Sequence, residues 1–135
     1  MIRFEDVLGQ RPAVSLLGRM LNHGRVPQAL LFQGPEGVGK GSIARSFAAA
    51  LLCEAPEPEA CAGCAACRLV AGGGHPDLLL VARLPRKGTP SDRAPESPPA
   101  PGDLRSVVIV DQIRELSRVA ALAPRHGSRR VIIID

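Results

Sequence analysis

An α/β fold, a parallel sheet flanked by helices, is what this chain's sequence predicts, and three observations predict it. Residues 34–40 read Gly-Pro-Glu-Gly-Val-Gly-Lys, the Gly-x-x-x-x-Gly-Lys core of a phosphate-binding loop. The loop stands between a short apolar run of strand character, Ala29–Gln33, and an apolar-periodic helix, Ser42–Leu52. Two further apolar runs of strand length, Asp77–Val81 and Val131–Ile134, follow with helical patterns between them. Strands alternating with helices after a phosphate loop imply parallel strands with helices on both faces.

Each element has its own signals. Pro12 fits the first turn of a helix over 12–21, in which Val14, Leu17, Met20 and Leu21 share a face; Gly24 and Pro27 end it. In the helix from Ser42, Ile43, Phe47 and Leu51 line one side, with Ala44 and Ala48 beside them. Arg68–Ala71 reads as a short helical piece stopped by Gly72-Gly73-Gly74. Residues 83–103 hold six prolines, many charges and almost nothing apolar, and read as a flexible insertion. Val107–Val110 is a short apolar segment. Asp111 is a plausible N-cap for a helix running to Ala123, with Ile113, Leu116, Val119 and Ala120 facing inward. Pro124 and Gly127 end that helix before Val131–Asp135.

The loop's chemistry is explicit in its residue types. Glycines allow tight turns that gather backbone N–H groups into one hollow, the helix N-terminus adds its dipole, and Lys40 supplies a charge for the outer phosphates. The Walker A pattern then places Ser or Thr, whose hydroxyl binds Mg²⁺, but here the residue is Gly41. Ser42 lies one position later, about 100° further round a helix, and does not substitute. The expected site therefore comprises Gly34, Pro35, Glu36, Gly37, Val38, Gly39, Lys40, Gly41 and Ser42, with ATP and Mg²⁺ as possible but weak ligands. Val131-Ile132-Ile133-Ile134-Asp135 looks like a Walker B strand, whose aspartate holds the metal's water shell; the competing reading is a core strand merely capped by Asp135. The usual following acidic residue lies past position 135.

Cys53, Cys61, Cys64 and Cys67 are the only cysteines, and all fall within 15 residues. Cys-x-x-Cys-x-x-Cys spacing with a fourth thiol nearby suits a tetrahedral Zn²⁺. Two disulfides or a redox pair are the alternatives, disfavoured by the absence of an apolar signal region after Met1 and by a reducing cytoplasm. An iron–sulfur cluster is the other metal option. Four thiolates leave no open position, so the ion's role is structural.

Composition sets the bounds. At 135 residues the chain is one domain at most, with no Trp, no Tyr and three Phe, so its core is thin. Net charge +4 and pI near 9.3 permit an acidic partner such as DNA. No run of 18 apolar residues exists, so no membrane span is expected and a cytoplasmic location is the default.

The ordered set of motifs resembles the clamp-loader AAA+ ATPases of bacterial DNA polymerase III. Phe4–Gln10 looks like that family's opening box. Gly34–Lys40, the four cysteines, His75-Pro76-Asp77, Val110–Leu116 and Val131–Asp135 follow in the family's order. The resemblance covers the whole chain except the proline-rich insertion. It implies an N-terminal part of an AAA+ ATPase-like domain over 1–135, with a zinc module at 53–67 and the insertion at 83–103. The family's sheet order is five-one-four-three-two, and this chain holds the equivalents of strands one to three, so an incomplete domain is expected.

Two clamp-loader subunits share this pattern, the gamma/tau motor and delta-prime. Gly41, the long insertion and the Val-Asp-Gln-Ile-Arg-Glu-Leu wording of 110–116 are nearer the delta-prime form. The resemblance then implies a stator-like subunit with weak or absent ATPase activity of its own. Its partners would be delta and gamma/tau subunits, with the sliding clamp and primed DNA reached through the complex. Nothing in the chain matches the family's Ser-Arg-Cys arginine finger. Arg114 and Arg118 read as solvated helix positions; Arg125, Arg129 and Arg130 read as a solvated turn that could touch DNA phosphate, and His75 as fixing a turn with Pro76 and Asp77.

Two readings of other classes compete on the residues. A zinc-stabilised nucleic-acid-binding module with a vestigial phosphate loop suits the basic pI but lacks aromatics for base stacking. A small phosphotransferase would need an acceptor site and a lid, for which no residues are visible.

Overall fold

The computed structural model describes residues 9–55, 60–81 and 110–135. The insertion at 83–103, the opening box at 4–8 and the apolar residues 107–109 lie outside the described residues. The elements are α1 (Arg11–Asn22), α2 (Lys40–Leu52), α3 (Ala65–Ala71), β1 (Leu78–Val81), α4 (Val110–Ala120) and β2 (Val131–Ile134). They divide into two units: residues up to Leu79 with Pro124–Ile133, and Leu80–Ala123 with Ile134–Asp135.

In the first unit, α1 carries Pro12 in its first turn and buries Leu17. Ala13, Val14, Leu17, Met20 and Leu21 meet the helix period and pack together on one core cluster. Its end is a Schellman cap, with the Arg25 N–H donating to the Met20 carbonyl and the Gly24 N–H to that of Leu21. Across from Leu17 stand Ile43 and Phe47 of α2, one turn apart on one face. Each of these three is 3–4% exposed, worth roughly 1.5–3 kcal/mol of apolar transfer per side chain. A second, smaller cluster forms where Ala49 meets Ala60 and Cys67. Ala-rich packing of this kind lets α2 and α3 lie close.

The sheet among the described residues has two strands, β1 and β2. The Val131 N–H donates to the Asp77 carbonyl and the Asp135 N–H to that of Val81, both at 2.9 Å. Both partners advance by four residues in the same direction, so the pair is parallel, as the α/β alternation predicts.

Several expectations need correction. Ala29–Gln33 forms no ladder, because no described residue pairs with it. It still shows a strand's two-sided character: Leu30 and Phe32 pack on the α1/α2 core, while Leu31 between them is 91% exposed. β2 is half-buried rather than buried on both faces, with Ile134 exposed, since a two-stranded sheet cannot cover both sides. α2 starts at Lys40, two residues early. α3 begins at Ala65 because Cys64 caps it. α4, in the second unit, begins at Val110 and ends at Ala120, so Asp111 lies inside the helix instead of capping it. Arg118 of α4 is exposed as expected and pairs with Glu115 one turn away, at 2.7 Å.

The largest surprise sits at Asp77. Its side chain is fully buried, and its carboxylate accepts the backbone N–H groups of Arg125 (2.7 Å) and His126 (2.6 Å). Arg130, 9% exposed, adds a guanidinium at 3.4 Å. The segment 124–130 is therefore not a uniformly solvated turn: Arg125 and Arg129 face solvent, while Arg130 turns inward to a buried ion pair. His75, also buried, accepts the Asp77 N–H on Nδ1 at 3.1 Å, the turn-fixing role expected of it.

Burial pushes the Asp77 carboxyl upward, but the two N–H groups and Arg130 outweigh it and hold it below the usual carboxylate range. A folded-state pKa below the unfolded one gives stability that is present at neutral pH. That stability disappears as pH falls through the ordinary carboxylate range toward the folded value. Asp77→Asn should therefore lose ~2–4 kcal/mol at pH 7, by loss of the buried charge partner. In urea titrations its stability should also depend less on acid than that of the unaltered chain; parallel pH profiles would contradict this assignment.

Candidate functional site

Two candidate sites occupy opposite ends of α2. At its N-terminal end lies the phosphate loop. Gly37 (φ 78°) and Gly39 (φ 92°) hold left-handed backbone, where side chains with a Cβ are strained; Gly39 is the N-cap residue of α2. These two glycines turn the chain back on itself before the helix begins. The Gly39 carbonyl then takes the first helical bond, from the Ile43 N–H at 3.0 Å. Lys40 folds over its own loop, donating from Nζ to the carbonyls of Gly34 (3.1 Å) and Pro35 (2.8 Å). The ammonium is thus held against the carbonyl groups of its own loop.

Gly41 sits in the first turn of α2, at the position of the missing hydroxyl. A Cβ built there meets no atom within 4 Å, and its φ is not left-handed. Neither packing nor backbone strain requires glycine at 41. Ser42 is half-buried, and its carbonyl accepts the Ser46 hydroxyl at 3.0 Å. Gly34 through Ser42 form one continuous loop and helix start in the first unit. Asp135 follows β2 in the second unit with an exposed side chain.

At the other end of α2, Cys53 is the C-cap residue. The chain returns through the Cys61–Cys64 turn into α3. Chain geometry brings all four sulfurs within 4.8 Å of one another. Cys53 Sγ lies 3.9 Å from Cys64 Sγ, and Cys61 Sγ 4.0 Å from Cys67 Sγ. A tetrahedral ion with Zn–S bonds near 2.3 Å needs sulfur separations of about 3.8 Å, so the donor set fits such an ion. Backbone N–H groups surround the sulfurs: Ala55 and Cys61 donate to Cys53 (3.4 Å each), Cys64 to Cys61 and Cys67 to Cys64 (3.3 Å each). Arg68 pins the same turn through the Gly63 carbonyl at 2.8 Å.

These donors favour thiolate. The N–H of Glu54 and then that of Cys67 lower Cys64 to about 6. Gly63 and then Cys64 lower Cys61 by the same means. Burial instead raises Cys67 to about 12. The signal that sequence reading missed is Ala62, a non-glycine at φ 60° inside the Cys-x-x-Cys turn. The glycine of that turn, Gly63, is not the residue in the left-handed region.

Two measurements follow from this geometry. In the metal-free chain, alkylation at pH 6.5 should modify Cys64 well before Cys67, as read by peptide mass spectrometry; equal rates would contradict the environment described. Ala62→Gly should raise stability by about 0.5–1 kcal/mol through relief of left-handed strain, measured by denaturant titration.

The family model described as DNA polymerase III, delta subunit, matches residues 9–135. The chain is 34% identical to DNA polymerase III subunit tau of Bacillus subtilis over 98% of its own length and 20% of that protein's. It is 32% identical to subunit delta' of Pseudomonas aeruginosa over 93% of its length and 32% of the relative's. Against subunit tau of Escherichia coli the figures are 35%, 98% and 17%. The chain thus spans a third or less of each of these relatives. No helix among the described residues is long and apolar enough to cross a membrane. With the family model matching nearly the full chain, and relatives of the same polymerase matching across it, the protein belongs to the DNA polymerase III delta-subunit family of clamp-loader proteins.

Proposed function

We propose that this chain is part of a delta-prime-type, stator-like clamp-loader subunit that helps place the sliding clamp on primed DNA in the cytoplasm. Its partners in that work are delta and gamma/tau subunits, and it meets clamp and DNA through the complex. The observation that carries this reading is Gly41. The phosphate loop is formed and Lys40 is in place, yet the Mg²⁺ hydroxyl is missing at a position with room for it. A motor that hydrolyses ATP needs that hydroxyl to fix the metal between the phosphates. A stator does not.

Nucleotide, if it binds, is held by backbone N–H groups and Lys40, with Asp135 as the Walker B candidate. Cys53, Cys61, Cys64 and Cys67 hold a structural Zn²⁺, a reading supported by four sulfurs at tetrahedral spacing. The gamma/tau motor stays as a second reading, because two of the relatives named above are tau subunits matched across 98% of the chain.

Two experiments test these assignments. Elemental analysis of freshly reduced protein should find one zinc per chain. Such ligation can supply ~10–16 kcal/mol of apparent binding energy, so chelation should melt the region around α3 while α2 largely persists by circular dichroism. Absence of stoichiometric metal removes the zinc assignment. For the nucleotide site, the full-length subunit and its Gly41→Thr variant are titrated with nucleotide in Mg²⁺ and in EDTA. The variant should gain Mg²⁺-dependent affinity more than Mg²⁺-independent affinity. Turnover of ATP by the unaltered subunit alone at ~1 s⁻¹ or faster would overturn the stator reading in favour of the motor.

A further inference from the structure

The four sulfurs also fit a second chemistry. Every thiol in the centre is free, and two Sγ pairs lie at 3.9 Å (Cys53, Cys64) and 4.0 Å (Cys61, Cys67). A disulfide needs a sulfur separation near 2.05 Å, so each pair stands about 2 Å from bonding. The first pair joins the C-cap of α2 to the N-cap of α3. The second joins the turn before α3 to that helix's first turn. A metal ion at the centre of the cluster would tie together these same pieces of chain.

We propose that the cysteine centre is a reversible oxidation site, at which a peroxide converts the four thiols into the disulfides Cys53–Cys64 and Cys61–Cys67, and that in place of a metal ion the first bond holds the end of α2 to α3 and the second holds the preceding turn to α3. The pairing stands on the sulfur geometry. Only the accompanying release of metal rests on the zinc reading above.

The step balances. A thiolate attacks one peroxide oxygen, an S–O bond forms, the O–O bond breaks, and hydroxide leaves to be protonated to water. A second thiolate then attacks the sulfenic sulfur. The S–S bond forms, the S–O bond breaks, and the departing hydroxide also becomes water. Two electrons pass from the sulfur pair to one peroxide, and a dithiol reductant returns them by thiol–disulfide exchange.

Burial decides the roles. Cys53, Cys61 and Cys64 are half-buried and reachable by a small oxidant. Cys67 is 1% exposed, so it enters only as the attacking partner of oxidised Cys61, its thiol proton passing to the departing hydroxide to give water. The Cys-x-x-Cys bond between Cys61 and Cys64, the one suggested by spacing alone, would leave Cys53 to pair with Cys67; the short separations of 3.9 and 4.0 Å belong to the other pairing.

The test uses the purified, reduced full chain, with its metal content measured first by elemental analysis. Hydrogen peroxide is added at one molecule per expected disulfide. Disulfides are mapped by peptide mass spectrometry, and metal release is followed with a chromogenic chelator. The expected products are Cys53–Cys64 and Cys61–Cys67, reversed by dithiothreitol, with loss of the bound metal. The oxidised, metal-free chain should keep helical circular dichroism that the reduced, chelated chain loses. A Cys61–Cys64 bond, sulfinic acids without disulfides, or equal loss of structure in both metal-free forms would overturn the proposal. The same two disulfides in a chain that held no metal at the outset would sink the zinc reading and leave this one standing.

Discussion

A carboxylate without water organises the first unit. Asp77 is fully buried, and an ion so placed costs several kcal/mol unless donors replace its hydration. The donors come from 48 or more residues further along the chain: the N–H groups of Arg125 and His126, and the Arg130 guanidinium. Asp77 also accepts the Val131 N–H on its carbonyl, the bond that sets the parallel register of β1 and β2. Its own N–H is taken by the buried His75. One residue thus fixes where β2 starts, which way the preceding turn folds, and how β1 is entered.

The helix α2 is the second organising element. Its 13 residues span about 20 Å, with the phosphate loop at one end and the cysteine centre at the other. Ile43 and Phe47 clamp its first half to α1, and Ala49 anchors its second half against Ala60 and Cys67. With no Trp or Tyr and only three Phe, the core offers little apolar area to hold α3. The four sulfurs, within 4.8 Å of one another, gather at the same end of α2, where a metal ion could be held. The Gly34–Lys40 loop therefore precedes a helix that is packed in both halves.

Gly41 is where local sequence and family pattern part company. Glycine lowers helix propensity by about 1 kcal/mol, and nothing in the packing at position 41 demands it. The loop keeps left-handed glycines at 37 and 39, and Lys40 donates to the carbonyls of Gly34 and Pro35.

Local chemistry was legible in the residues themselves. Gly37, Gly39 and Lys40 announced the loop, because only glycine accepts left-handed backbone cheaply. Four cysteines in 15 residues, three of them in Cys-x-x-Cys spacing that suits one tetrahedral ion, announced a common centre. The period of Val14, Leu17 and Leu21 announced α1, and apolar runs announced β1 and β2. What the sequence could not decide depends on partners distant along the chain. Ala29–Gln33 reads as a strand, but a strand exists only with a neighbour to receive its N–H and C=O groups. Asp111 reads as a cap, yet α4 begins one residue before it. Arg130 looks like one more solvated cation beside Arg129, until folding brings it to a carboxylate 53 positions away. Composition and spacing determined the loop, the sulfur cluster and the helical period, since these are set within a few residues. Only the tertiary structure decided which charges are buried, which strands pair and which sulfurs face each other, because those free energies belong to contacts between segments rather than to any segment alone.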